Sequence, residues 1–139
     1  MDRKQIQEIL PHRAPMLLVD EVEKLADGSV QGSYTVPRDA HFVQGHFPGN
    51  PVVPGVILCE MMGQACCLLI EPDPGATPFF TSMDRVKFRR VVRPGDKVIT
   101  TARLTKSRAP FYFVSCTASV DDRVCASGEF SFAVTQANQ

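Results

Sequence analysis

The chain has 139 residues, enough for one domain with its own hydrophobic core but few for two. Hydrophobic residues make up 44% of it and charged residues 22%, a composition that excludes a disordered or fibrous protein. Its 15 basic residues balance its 15 acidic ones, so we expect no nonspecific binding to nucleic acid or to anionic membranes. We predict a single domain over residues 1–139.

The N-terminal half contains short elements separated by turns. A brief amphipathic stretch predicts a helix that ends before Pro11. Asp27-Gly28, between the apolar segments 16–25 and 29–36, predicts a β-hairpin. Residues 40–55 are rich in glycine and proline and predict a loop.

Residues 56–70 form the one segment that predicts a long helix, closed by Pro72 and Pro74. The segment is apolar on every face, so we expect it to be buried on nearly all sides. Glu60 and Gln64 are its two polar residues, and their i,i+4 spacing puts them on one face. A carboxylate in such a helix is costly unless it is paired or functional.

Only strand-like segments follow the helix. They cover residues 79–88, 97–106, 111–120 and 123–135. About six strands with one long helix predict an α+β fold in which an antiparallel sheet wraps around that helix.

The cysteines and the apolar segments indicate the cellular compartment of the protein. The five cysteines include the adjacent pair Cys66-Cys67 and no CxxC motif, which favours small buried side chains over a disulfide framework or a zinc site. The N-terminus has no apolar signal-peptide core, and the run over residues 56–70 is too short and too polar to span a bilayer. We expect a soluble, cytoplasmic protein.

The most informative stretch is residues 45–55, GHFPGNPVVPG, just before the predicted helix. Three glycines and three prolines fix a rigid backbone path, which suits a loop that presents one side chain, His46. Gly55 lies at the expected helix start, where its N–H is available to a ligand. With Glu60 these groups supply a base, an acid and a hydrogen-bond donor for proton abstraction next to a carbonyl.

These motifs resemble those of the (3R)-hydroxyacyl-[acyl-carrier-protein] dehydratases of bacterial type II fatty-acid synthesis. The resemblance covers nearly the whole chain, in order: residues 10–20, residues 45–55 with Glu60 and Gln64, and residues 84–90 with 94–96. It implies a hot-dog fold, which agrees with the α+β pattern. It also implies that His46 removes a proton from C2 of the acyl chain and that Glu60 protonates the departing C3 hydroxyl. Gly55 N–H would polarise the thioester carbonyl, Gln64 would position Glu60, and neither a metal nor an organic cofactor would be needed.

The resemblance further implies homodimers with shared active sites, commonly assembled as a trimer of dimers, and an acyl carrier protein as partner. Residues 85–108 hold 9 basic and 1 acidic groups beside acidic flanks. Most such runs are solvated strand faces, but acyl carrier proteins are acidic, so we favour a docking surface here. The candidate docking residues are Lys87, Arg89, Arg90 and Arg93.

Several side chains carry further expectations. Desolvation should raise the pKa of Glu60 and keep it protonated, although an ion pair with His46 is an alternative. His12 and Arg13 are expected to fix a turn, and His41 to lie on the surface. The usual family pattern has alanine at the positions of Met61 and Gly63. We expect these two differences to affect the preferred length of the acyl chain.

Three other functions stay open. A dehydratase that also isomerises trans-2 to cis-3 double bonds could use the same His46 and Glu60 pair. A hot-dog thioesterase activates water with a carboxylate and does not need the motif at residues 45–55. A non-catalytic acyl-thioester binding module would have no use for an intact histidine and glutamate.

Overall fold

The computed structural model describes residues 1–70 and 76–135, which form three helices and six strands. The helices are α1 (Arg3–Ile9), α2 (Gly55–Ala65) and α3 (Cys67–Ile70). The strands are β1 (Glu21–Lys24), β2 (Val30–Thr35), β3 (Thr77–Phe88), β4 (Lys97–Arg108), β5 (Phe111–Val120) and β6 (Arg123–Thr135).

The predicted N-terminal helix is confirmed, and a capping box starts it. The Asp2 carboxylate accepts from Gln5 N–H at 2.9 Å, and the Gln5 side chain accepts from Asp2 N–H at 3.0 Å. These bonds satisfy two backbone donors that the first turn leaves without helical acceptors.

The hairpin is also confirmed, but its first strand was predicted too long. Gly28 adopts a positive φ of 87° at the turn, as the Asp27-Gly28 pair indicates. Residues 16–19 are not strand, because Leu18 N–H donates to the buried side chain of Gln64 instead of to a neighbouring strand. Leu17, Leu18 and Val19 are nevertheless buried, so hydrophobicity alone did not distinguish the segment from a strand.

The predicted single helix over residues 56–70 is interrupted. The backbone leaves the α region at Cys66 (φ −75°, ψ 1°), so α2 and α3 are separate. The prolines expected to close the helix, Pro72 and Pro74, lie outside the described residues. Gly55 is the first residue of α2, as predicted.

The six strands form one antiparallel sheet in the order β1-β2-β4-β5-β6-β3. Helix α2 contacts β2, β4, β5 and β6, so the sheet curves around it. The protein has the hot-dog fold. Among the described residues, no helix is long and apolar enough to cross a membrane.

Helix α2 is buried on most sides, in agreement with the expectation from its composition, and one face remains. The buried residues are Leu58, Cys59, Met61, Met62, Gln64 and Ala65. Val56, Glu60 and Gly63 share the remaining face, and Val56 is 75% exposed. The helix therefore keeps one uncovered stripe, and the carboxylate of Glu60 lies in it.

The buried face of α2 sets the stability of the fold. We expect Met62→Ala to lower the free energy of unfolding by about 2–5 kcal/mol, because Met62 is fully buried and its truncation leaves a cavity. Val56→Ala on the same helix is the matched control, with an expected change under about 0.5 kcal/mol. Urea unfolding of the two variants measures both values. Equal destabilisation would contradict this packing.

Candidate active site

The loop that carries His46 is held by its own backbone. Gly45 and Gly49 adopt positive φ angles of 84° and 75°, which permit its tight turns. His46 C=O accepts from Val52 N–H at 2.8 Å, and Phe47 and Asn50 exchange backbone hydrogen bonds. The backbone on which His46 stands is therefore fixed by hydrogen bonds within the loop.

One ring nitrogen of His46 is already engaged. Nδ1 lies 3.2 Å from the carbonyl oxygen of Val52. A carbonyl can only accept, so Nδ1 must carry a hydrogen, and in the neutral ring Nε2 then has the free lone pair. That tautomer is the one a general base needs. The ring also stacks on Phe47, with centroids 4.1 Å apart.

Arg93, which lies outside this loop in the sequence, stabilises it by hydrogen bonds. Its guanidinium donates to Asn50 Oδ1 at 2.7 Å and to the Pro51 carbonyl at 3.4 Å, while its backbone N–H donates to Asp96. Of the candidate docking residues, Arg93 is thus committed to contacts within the chain.

Glu60 is oriented by Gln64, one turn further along α2. Gln64 is 2% exposed, and its Nε2 donates to Glu60 Oε2 and to the Met16 carbonyl, both at 2.8 Å. Its Oε1 accepts from Leu18 N–H at 2.8 Å. The amide therefore fixes the carboxylate and anchors the chain segment before β1 at the same time.

His12 is the site residue that the sequence did not predict. Its Nε2 lies 3.4 Å from Glu60 Oε2, and both side chains are about a quarter exposed, at 26% and 25%. Its Nδ1 is buried without a hydrogen-bond partner in the described part of the chain. The expected turn-fixing role is right for Arg13, which donates to the carbonyls of Leu10 and His12, but wrong for His12 itself. Forty-eight residues separate His12 from Glu60, and no spacing signal links them.

The predicted rise in the pKa of Glu60 is wrong. Burial does raise it, but hydrogen bonding to His12 and Gln64 and the charge of His12 lower it by more, so the pKa lies below its ordinary value. The expectation counted desolvation and missed the donors. The contact considered as an alternative is made by His12 in place of His46, and it is an ion pair when His12 is protonated.

Glu60 and His12 form the polar wall of a cavity of about 60 Å³. The rest of its lining is mainly apolar: Leu10, Gly63, Cys66, Cys67, Ile70, Pro78, Phe80 and Phe132, with Gln64 beside Glu60. A carboxylate at the end of an apolar cavity can exchange a proton with one polar group of a ligand whose remainder is apolar.

Gly55, at the start of α2, lines a groove that is separate from the cavity beside Glu60. The first N–H groups of a helix have no intrahelical acceptor, and no backbone carbonyl in residues 1–70 and 76–135 accepts from Gly55. The ring of Phe88 lies over this glycine, where a Cβ would be only 2.8 Å from Phe88 Cζ. Arg89 and Arg90 line the same groove.

The other basic residues of the predicted docking surface are dispersed. Lys87 is exposed near the end of β3, and Arg85 pairs with Glu129 at 3.3 Å. Arg89 and Arg90 also line a neighbouring groove with Arg123. His41 is exposed and packs edge-on against Phe42, in agreement with its predicted surface position.

The structure therefore brings Glu60, Gln64 and His12 together but leaves His46 apart from them. Among the described residues, no hydrogen bond or ion pair joins His46 to Glu60, and His46 does not line the cavity beside Glu60. No group of three or more potential metal ligands occurs in the described part of the chain.

The contact between His12 and Glu60 makes a testable electrostatic prediction. We expect His12→Ala to raise the pKa of Glu60, because burial then acts with less opposition. A carboxylate whose folded pKa is lowered stabilises the fold above its unfolded pKa, and that contribution disappears as the pH falls through the folded value. His12→Ala should therefore lose less stability on acidification than the wild type.

Carboxyl ¹³C titration of Glu60 by NMR measures the shift directly. His12→Gln is the matched variant, since it keeps an N–H donor but cannot carry the charge, and it should give a smaller rise. An unchanged titration curve in His12→Ala would mean that the contact does not influence the carboxylate.

Comparison with known proteins identifies the family. The ApeI-like family, described as ApeI dehydratase, matches residues 21–129. A 3-hydroxyacyl-[acyl-carrier-protein] dehydratase FabZ of Streptococcus equi subsp. zooepidemicus is 42% identical over 98% of this chain and 99% of its own length. The FabZ of Clostridium perfringens is 41% identical over 96% and 99%. In structure, the chain is similar to the dehydratase heterocomplex ApeI:P from Xenorhabdus doucetiae, with a TM-score of 0.80 at 21% identity over 96% of this chain and 92% of that one. The chain thus belongs to the 3-hydroxyacyl-[acyl-carrier-protein] dehydratase family of hydro-lyases.

Proposed function

We propose that the chain removes water from 3-hydroxyacyl groups carried on acyl carrier protein and forms trans-2-enoyl thioesters. The observation that carries this proposal is the hydrogen bond from His46 Nδ1 to the Val52 carbonyl, which leaves Nε2 as a base. The names of the relatives support the substrate class.

In the proposed mechanism, His46 Nε2 takes a proton from C2, and Glu60 gives a proton to the C3 hydroxyl, which leaves as water. The electron pair of the broken C2–H bond forms the C2=C3 double bond. Gly55 N–H donates to the thioester oxygen, where negative charge develops. The proton then returns from the imidazolium of His46 to the carboxylate of Glu60, and the cycle is complete.

The state of Glu60 depends on what covers it. With its side chain a quarter exposed, hydrogen bonds outweigh burial and favour the ionised form, which activates water for the reverse hydration. A bound acyl chain removes water from the carboxylate and so shifts its pKa upward, toward the protonated form that dehydration needs.

The separation of His46 and Glu60 within one chain supports a dimer with shared sites, each combining His46 of one chain with Glu60 of the other. The outer edge of β3 has no strand partner in the described part of the chain, and exposed apolar residues lie along it. These include Phe79, Met83 and Phe88. The uncovered stripe of α2 gives a second copy access to Glu60.

We also propose that the acyl carrier protein docks at Arg89 and Arg90. Both line the groove that contains Gly55, so an acidic partner bound there would have its thioester near the oxyanion donor. Lys87 lies just before them on β3 and extends the basic rim. Arg93 is better explained as support for the loop that carries His46.

Substitution of the two catalytic residues tests the mechanism. We expect His46→Ala and Glu60→Gln each to lower kcat for hydration of a crotonyl thioester by about 10²–10⁴-fold, the usual contribution of a general acid or base. His41→Ala is the matched control, because His41 lies exposed only five residues away and should leave kcat unchanged. Near-normal turnover in either catalytic variant, with circular dichroism like the wild type, would overturn the assignment.

Product analysis in the same assay distinguishes trans-2 from cis-3 enoyl thioesters.

Mixing the two inactive variants tests the shared site. In a heterodimer of His46→Ala and Glu60→Gln, one of the two sites receives an intact histidine and an intact glutamate. Co-expression with random pairing should therefore restore about a quarter of wild-type activity. If each site came from one chain alone, no activity would return.

Charge reversal tests the docking surface. We expect Arg89→Glu with Arg90→Glu to raise KM for carrier-protein substrates and leave KM for coenzyme A analogues unchanged, because only the former contact the acidic partner. Arg108→Glu on β4 is the control for a change of net charge. Equal effects on both kinds of substrate would indicate damage within the site instead.

A further inference from the structure

We propose that Phe80, which lies against Gly63, limits the length of the acyl chain and restricts the enzyme to short linear 3-hydroxyacyl groups. This inference rests on the proposed function. It concerns the apolar lining of the cavity, less than one helical turn from Glu60.

The first observation is the fit between the ring and the helix. Phe80 on β3 and Gly63 on α2 both line the cavity beside Glu60. A Cβ at position 63 would overlap Phe80 Cζ and lie 3.1 Å from its Cε1. The ring thus occupies the space that the methyl group of an alanine would need.

The second observation is that other aromatic rings hold Phe80 in place. Its ring stacks on Phe132 with centroids 4.8 Å apart and an interplanar angle of 27°, and its centroid lies 5.7 Å from that of Phe130. Phe130 and Phe132 are themselves buried in the core. The helix lies on one side of Phe80 and these rings on another, so the partly buried ring is held against Gly63.

The third observation is the size of the cavity. Its volume of about 60 Å³ is less than half of the roughly 150 Å³ that admits benzene in an engineered cavity. Glu60 and His12 occupy one wall, so only part of that space is available for carbon atoms. The part of the site formed by one chain therefore has room for only a few carbons beside the reacting bond.

The test is a chain-length series of trans-2-enoyl coenzyme A thioesters from C4 to C10, assayed by hydration. We expect wild-type kcat/KM to fall at least tenfold across the series. Phe80→Ala should raise the C8-to-C4 ratio of kcat/KM about tenfold or more, since each additional buried CH₂ contributes roughly a factor of four in affinity. Phe80→Leu, which preserves more of the core, should raise it less. Phe111→Ala is the matched control, because Phe111 is exposed on β5 and does not line the cavity.

A second readout tests the contact itself, independently of activity. Gly63→Ala should lower the melting temperature because the added methyl group displaces the ring of Phe80. In the Phe80→Ala background the space is free, so the same substitution should lower the melting temperature less. An equal loss in both backgrounds would mean that Phe80 does not lie on Gly63.

The possible outcomes separate this inference from the proposed function. Absence of hydration at every chain length in the wild type would overturn the proposed function. Turnover that does not fall with chain length, or a C8-to-C4 ratio that stays the same in both Phe80 variants, would overturn the limit on length and leave the dehydratase intact.

Discussion

The side chain of Gln64 is the constraint on which the rest of the site depends. It is buried, and its amide donates to Glu60 Oε2 and Met16 C=O and accepts from Leu18 N–H. An unpaired amide in such a place would cost about 1–3 kcal/mol, so the three bonds are effectively required for the buried position. Because one group makes all of them, the path of the chain before β1 and the direction of the Glu60 carboxylate are fixed together. That path also brings His12 to Glu60.

The same arrangement makes the proton affinity of Glu60 sensitive to its surroundings. Desolvation favours the neutral acid, whereas Gln64 and His12 favour the carboxylate. The two effects are opposed and the side chain is only partly covered, so a ligand that removes water shifts the balance toward protonation. A fully buried glutamate without donors would stay protonated and could not serve the reverse direction equally well. In the proposed mechanism, the polar neighbours thus allow the Glu60 carboxyl group to act in both directions of a reversible reaction.

Local patterns predicted most of the fold and the catalytic candidates, because those depend on residues close together in sequence. The strands β5 and β6 and the start of α2 at Gly55 follow from hydrophobic alternation and from the glycine- and proline-rich loop. The extended segment at Leu18 and the position of His12 did not follow, because both are set by contacts with α2 nearly fifty residues away. The error over the pKa of Glu60 has the same origin: burial was visible in the composition of the helix, but its hydrogen-bond partners were not.

In the proposed site, the uncovered stripe of α2 connects catalysis with substrate choice. Glu60 and Gly63 lie on this stripe less than one turn apart, so the proposed acid and the residue against which Phe80 packs line the same cavity. A larger side chain at position 63 would push the ring away from the helix or into the cavity. In both cases the shape of the cavity changes within one helical turn of the carboxylate. If Phe80 limits the acyl chain as proposed, residue 63 can change chain-length preference while the buried Gln64 continues to hold Glu60 in place.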